Sequence, residues 1–183
     1  MKEVHAVKDV QDIGLISRFL ERHFSSRESD VWQFGINTAL RISDLLNIRF
    51  ADIQGDTLRL KEQKTGKQRS IKLNDKALAI IAKRQAQHPT DTYLFQAKSR
   101  NVKTVKPVTR QYISEAIKSA GDSLGLSLST HSMRKTRGYH LHKSGVAIEL
   151  ICKMLNHSCP SVTLRYIGIE QQDIDQTYTN LVL

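Results

Sequence analysis

Residues 57–73 read TLRLKEQKTGKQRSIKL. Leu58, Leu60, Ile71 and Leu73 alternate with polar side chains on either side of Thr65 and Gly66, which predicts two antiparallel strands joined by a turn. Elsewhere the apolar spacing is mostly helical. This stretch therefore decides the class: an α+β chain, mainly α, with one small antiparallel β-hairpin or sheet.

Working toward the N-terminus, Ser43 and Asp44 signal a helix start, which leaves Arg41 at a helix junction. The pattern from Asp30 through VWQFGINTAL is helical, and SSRESD before it predicts a polar loop. Residues 9–22 repeat apolar side chains at Val10, Ile13, Ile16, Phe19 and Leu20 behind Asp9, the signature of a capped amphipathic helix. Toward the C-terminus, Asn74 caps a helix to about Ala86, TYLF at 92–95 is a short extended piece, and KSRNVKTVKPVT is a basic loop. Thr109 then caps a helix to about Ser123. The last third is helical, broken at Gly125, Gly145, the corner from Asn156 to Pro160, and Gly168. Its stripe of Ala147, Ile148, Ile151, Met154 and Leu155 is explained by core packing alone.

The chain has 183 residues with 39% hydrophobic content, the size of one domain, 1–183, with a real core. Twenty-eight Lys and Arg against eighteen Asp and Glu give a net charge of +10, the footprint of a polyanion partner such as nucleic acid or of a merely basic surface. Cys152 and Cys159 belong to no wider cysteine pattern, which favours a reduced intracellular protein. The N-terminal stretch has no signal-peptide apolar core and no run reaches membrane-spanning length, so the expected place is the cytoplasm.

The densest chemistry lies in THSMRKTRGYHLHKSG, residues 130–145. On a helix His131 and Arg134 share a face, and an arginine fork suits a phosphate diester because it donates parallel hydrogen bonds and stays charged. Four further features follow in order around this pair: Arg41 in TALRISDLL, Lys64 in KTGK, His157 in LNHS, and Tyr166 in VTLRYIG, nine residues after His157.

With these motifs the chain resembles the catalytic domain of the tyrosine recombinase, or phage integrase, family, from about Asp30 to Tyr178. The resemblance implies a catalytic set of Arg41, Lys64, His131, Arg134, His157 and Tyr166, with Asp44 supporting Arg41. It implies DNA strand cleavage and rejoining, in integration, excision or inversion, through a 3′-phosphotyrosyl link, with no metal and no cofactor. Tyr166 is then the nucleophile, His131 the general base, Arg41 and Arg134 the clamp on the non-bridging oxygens, His157 a further donor, and Lys64 the acid for the leaving 5′-oxygen. A non-cleaving DNA-binding regulatory or architectural protein of the same fold, and a type IB-like topoisomerase, are the rival readings; the six intact positions argue against loss of cutting.

Four positions depart from the family pattern without altering a catalytic atom: Ala39 and Asn156 stand where glycine is usual, Met133 where leucine is, and Lys72 where proline is common. The N-terminal core-binding domain of most members is expected to be absent, the chain being either an excised catalytic domain or a short recombinase. The partners implied are double-stranded DNA, a homo-oligomer that is a tetramer on two DNA sites, and accessory DNA-bending proteins. Arg69, Lys98, Arg100, Lys103, Lys106 and Arg110, with Lys67 and Arg49, form either a solvated face or a phosphate-tracking surface, and DNA contact is the favoured reading. His140 and His142 lie two apart, so on a helix they diverge; with Cys152, His157 and Cys159 they match no metal-ligand spacing. Residues 170–183 continue a terminal amphipathic helix with Ile169, Ile174, Tyr178 and Leu181 on one face, which either packs on its own domain or is exchanged between protomers.

Overall fold

The computed structural model describes residues 4–98, 104–169, 173, 175 and 178–180. Helix α1, Val10–His23, starts where Asp9 accepts from the Gln11 amide, as its sequence signal requires. Helix α2 is Ser26–Thr38, capped by the Ser25 hydroxyl, so the expected SSRESD loop is in fact the first turns of a helix. The polar residues there are not solvated: Glu28, Ser29 and Asp30 are buried, with Ser29 bonded to Ser17 and Asp30 paired to Lys83. Partners supplied from other helices overrode the local polarity.

Helix α2 is the axis of the main core. Its Trp32 and Phe34 are fully buried, and it packs against α1, against α4 (Asp75–Gln87) and α5 (Arg110–Leu124), and against α6 (Ser132–Lys143). Gly35 lets the Met133 side chain of α6 lie directly against α2, because a Cβ there would be 2.2 Å from the Met133 sulfur and would displace it. Helix α3, Ile42–Leu46, begins one residue before the expected signal and has Arg41 as its N-cap. A three-stranded antiparallel sheet follows, ordered β1 (Ile53–Gln54), β2 (Thr57–Lys61), β3 (Gln68–Lys72), with Leu58 opposite Ile71 and Leu60 opposite Arg69. The stretch TYLF forms no strand; its extended residue Tyr93 makes an isolated bridge with Arg49.

Helix α4 starts at Asn74 and α5 at Thr109, each through the expected side-chain cap. Helices α6, α7 (Ile148–Leu155) and α8 (Pro160–Ile167) enclose a second apolar cluster of Ala6, Ala39, Tyr139, Ile151, Leu155 and Ile167. Gly138 of α6 is the contact point there, since a Cβ would meet Ile167 Cγ2 at 2.6 Å and Leu155 Cδ1 at 3.3 Å. Of the expected terminal helix, Ile169 packs beside this cluster and Tyr178 is exposed; Ile174 and Leu181 lie outside the described residues. Among the described residues no helix is long and apolar enough to cross a membrane.

Candidate active site

Five elements bring their chemistry to one place. Arg41 sits at the junction of α2 and α3, where the chain reverses through Ala39 in left-handed conformation, φ 52°. His131 is the N-cap residue of α6 and Arg134 lies in its first turn. His157 follows the left-handed Asn156, φ 54°, that ends α7, and Tyr166 projects from the last turn of α8. Both departures from glycine noted in the sequence thus occupy positions whose backbone favours glycine; Asn tolerates this region better than Ala.

Arg134 is the fixed centre. It is 3% exposed, and its guanidinium donates to the backbone carbonyls of Ala39 and Leu155, the latter at 2.8 Å. A buried guanidinium needs such acceptors, and five N–H donors leave capacity for a further partner. The Tyr166 hydroxyl lies 3.5 Å from His131 Nδ1, within the loose range of an unliganded site, and the Tyr166 ring stands edge-on to the His157 ring, centroids 4.8 Å apart. His157 Nδ1 is held by the Thr163 hydroxyl of α8 at 3.0 Å. Lys135 Nζ sits 5.3 Å from the Tyr166 ring centroid and donates to the Val4 carbonyl.

The electrostatics follow from this crowding of cations. Desolvation, reinforced by the charges of Arg134, Arg110, Lys135 and Arg41, holds His131 below its ordinary pKa of 6.5 and so keeps the ring neutral. Desolvation and the same two active-site arginines, Arg134 and Arg41, lower His157. Burial raises the Tyr166 phenol, opposed by Arg134 and Arg41, whose positive charges favour the phenolate.

Two expected roles are corrected. Asp44 does not pair with Arg41; its Oδ1 accepts the backbone amide of Gln63, 2.9 Å away, so it anchors the hairpin turn instead. Arg69 is not a free surface cation: Nη1 is paired with Glu62 at 2.9 Å and Nη2 donates to the Met154 carbonyl at 2.6 Å. It faces inward because it occupies the same side of β3 as Ile71. Lys98 is paired with Asp91, Lys106 and Arg110 are exposed, and Arg100 and Lys103 lie outside the described residues. Lys64 is exposed in the turn at 63–65, and among the described residues no hydrogen bond or ion pair of its own ties it to the cluster.

Glu62 is the site residue that sequence reasoning missed. It is 3% exposed and accepts from Arg41 Nη1 at 3.1 Å, Arg69 Nη1 at 2.9 Å, the Thr65 hydroxyl at 2.8 Å and Asn156 Nδ2 at 3.2 Å. Burial pushes its carboxyl up, but hydrogen bonds from Thr65, Arg69 and Arg41 outweigh burial and bring it down to about 2. The signal was present: Leu58, Leu60 and Glu62 share one face at period two, an acid in an apolar register.

A model of the phage integrase family matches residues 9–173. The chain is also 33% identical over 180 residues to the probable integrase/recombinase YoeC of Bacillus subtilis, covering 97% of both chains. The chain belongs to the phage integrase family. It spans nearly all of that integrase relative but about half of XerA from Pyrococcus furiosus, with 26% identity over 76% of this chain and 49% of XerA. The integrase fold is likewise seen in the crystal structure of XerA recombinase, TM-score 0.75 at 14% identity over 98% of this chain and 65% of that one. A lambda integrase tetramer bound to a Holliday junction matches with TM-score 0.70 at 16% identity, over 92% of this chain and 49% of that one.

Proposed function

We propose that this tyrosine recombinase cuts and rejoins DNA at defined sites with Tyr166 as nucleophile. The observation that carries the reading is the meeting of the Tyr166 hydroxyl with a neutral imidazole, His131, beside the anchored cation Arg134. Free tyrosine is a poor nucleophile near neutrality. Here His131 takes the phenolic proton as the oxygen attacks phosphorus, and the bond to the 5′-oxygen breaks. Arg41 and Arg134 stabilise charge on the non-bridging oxygens, His157 donates to the same phosphate, and Lys64 protonates the departing 5′-oxygen. The product is a 3′-phosphotyrosyl link whose energy is retained for rejoining.

Double-stranded DNA is the partner that this chemistry and the +10 charge favour. Assembly as a tetramer on two sites is supported by the lambda integrase tetramer on a Holliday junction. Accessory DNA-bending proteins belong to the same reading, as does work in the cytoplasm on the nucleoid. Among the described residues, exposed Lys106 and Arg110, with Lys67, stay phosphate-contact candidates once Arg69 and the Asp91-paired Lys98 are set aside.

The test is adduct formation. Nicked duplexes with a randomised central segment let the cut fragment diffuse away, so covalent protein–DNA complexes accumulate and their sequences can be read. Wild-type protein is expected to give denaturant-resistant adducts on a restricted set of sequences, and Tyr166→Phe none. Adducts from Tyr166→Phe, or no wild-type adduct on DNA that it binds, overturn the assignment; relaxation of supercoiled DNA without site preference points to a topoisomerase.

A further inference from the structure

The chemistry above leaves Glu62 without a task, yet its surroundings are costly to build. A buried carboxylate is tolerated only where donors replace its water, and four side-chain donors converge on this one, Thr65 and Arg69 from its own hairpin and Arg41 and Asn156 from 21 and 94 residues away. Each segment carries part of the proposed site. Arg41 is itself a phosphate ligand, Thr65 adjoins Lys64, and Asn156 adjoins His157. The turn is further closed on Glu62 by its own backbone, since the Glu62 amide donates to the Lys67 carbonyl at 3.0 Å and the Gly66 amide to the Glu62 carbonyl at 2.8 Å.

We infer that Glu62 is a positioning residue for strand cleavage: its buried carboxylate fastens the Lys64-bearing turn to Arg41, so that proton donor and phosphate clamp meet one phosphate in a fixed relation. This rests on the recombinase reading. Lys64 has a flexible four-carbon stem in an exposed turn, so its approach depends on where the turn is held. The hold consists of the Thr65 hydroxyl on one Glu62 oxygen, with Arg41 on the same oxygen and Arg69 on the other. Arg69 then carries the load into α7 through the Met154 carbonyl. A misplacement of about 1 Å in such a constellation can cost on the order of 100-fold in rate.

The experiment uses the DNA recovered as wild-type adducts, so that absence of those adducts reports failure of the recombinase reading and not of this one. Single-turnover cleavage is measured for Glu62→Gln on the natural phosphodiester and on the same duplex with a bridging 5′-sulfur, whose thiolate leaves without a proton. The expected result is cleavage slowed about tenfold or more on the phosphodiester, DNA affinity unchanged, and a defect several times smaller on the sulfur substrate. Thr65→Val, which removes one hydroxyl from an exposed turn, should show the same pattern and keeps the inference testable if Glu62→Gln folds poorly. Wild-type cleavage by both variants, or defects equal on the two substrates, overturns it.

Discussion

At the scale of single residues, the neutral state of His131 makes a prediction about pH. Its folded pKa lies below the ordinary 6.5, for desolvation and four neighbouring cations all disfavour the imidazolium. If His131 accepts the Tyr166 proton, the single-turnover cleavage rate should fall on acidification along a limb centred below pH 6.5. His131→Gln should be slower and lack that acid limb; a limb centred above 6.5 would sink the assignment. Linkage has the same sign. Between its folded pKa and 6.5 the unfolded chain binds the extra proton, so this group stabilises the fold fully above 6.5 and loses that contribution as pH falls. Asn156 offers a second residue-level test, because it combines a left-handed backbone with a bond to Glu62. Asn156→Ala should lower stability by about 1–2 kcal/mol, from strain at φ 54° and the lost hydrogen bond. Asn156→Gly removes the strain and should unfold within about 1 kcal/mol of wild type, as read by denaturant titration.

At the scale of elements, most of the fold could be read from local chemistry, and the misses have one cause. Caps at Asp9, Asn74 and Thr109 and breaks at Gly125 and Gly168 are decided by neighbours in sequence, and the helices begin and end there. The six catalytic candidates could be named because their spacing survives in the linear chain. What could not be read was decided by partners from distant segments. The residues of SSRESD are buried in their helix because Ser17 and Lys83 meet Ser29 and Asp30, and Arg69, placed inward by strand alternation, is held there by the Met154 carbonyl at the end of α7. Asp44 serves the hairpin and not Arg41 for the same kind of reason, the Gln63 amide being within its reach. The junction of α6 and α8 yields a test of element packing. Gly138→Ala puts a methyl 2.6 Å from Ile167 Cγ2, one residue from Tyr166 and in a helix that holds Arg134. Overpacking of this kind costs about 1–3 kcal/mol, so the variant should melt several degrees lower. Below its melting transition it should also cleave more slowly, since Ile167, next to Tyr166, must move to admit the methyl.

For the molecule as a whole, the question is which of twenty-eight basic side chains meet DNA, and net charge alone cannot rank them. The structure does so through what each cation already holds. Arg69 is taken up by Glu62 and Met154, Lys83 by Asp30 and Lys98 by Asp91, and a cation so engaged releases little of DNA's counterion atmosphere. Lys106 and Arg110 are exposed, and Arg110 is close enough to the site for its charge to act on His131. Binding to a nonspecific duplex should therefore weaken steeply with salt, with a logarithmic slope of about −0.9 for each phosphate neutralised. Lys106→Gln with Arg110→Gln should make that slope shallower by about 1.8, two contacts' worth, while leaving the melting temperature unchanged. Arg69→Gln should do the reverse, lowering stability because Glu62 loses the donor on its Oε1 and the Met154 carbonyl loses its bond, and leaving the slope where it was. Fluorescence anisotropy across a salt series, read beside thermal melts, separates the two. A slope that responds to Arg69 and not to the exposed pair would mean that the Glu62 cluster opens when DNA arrives.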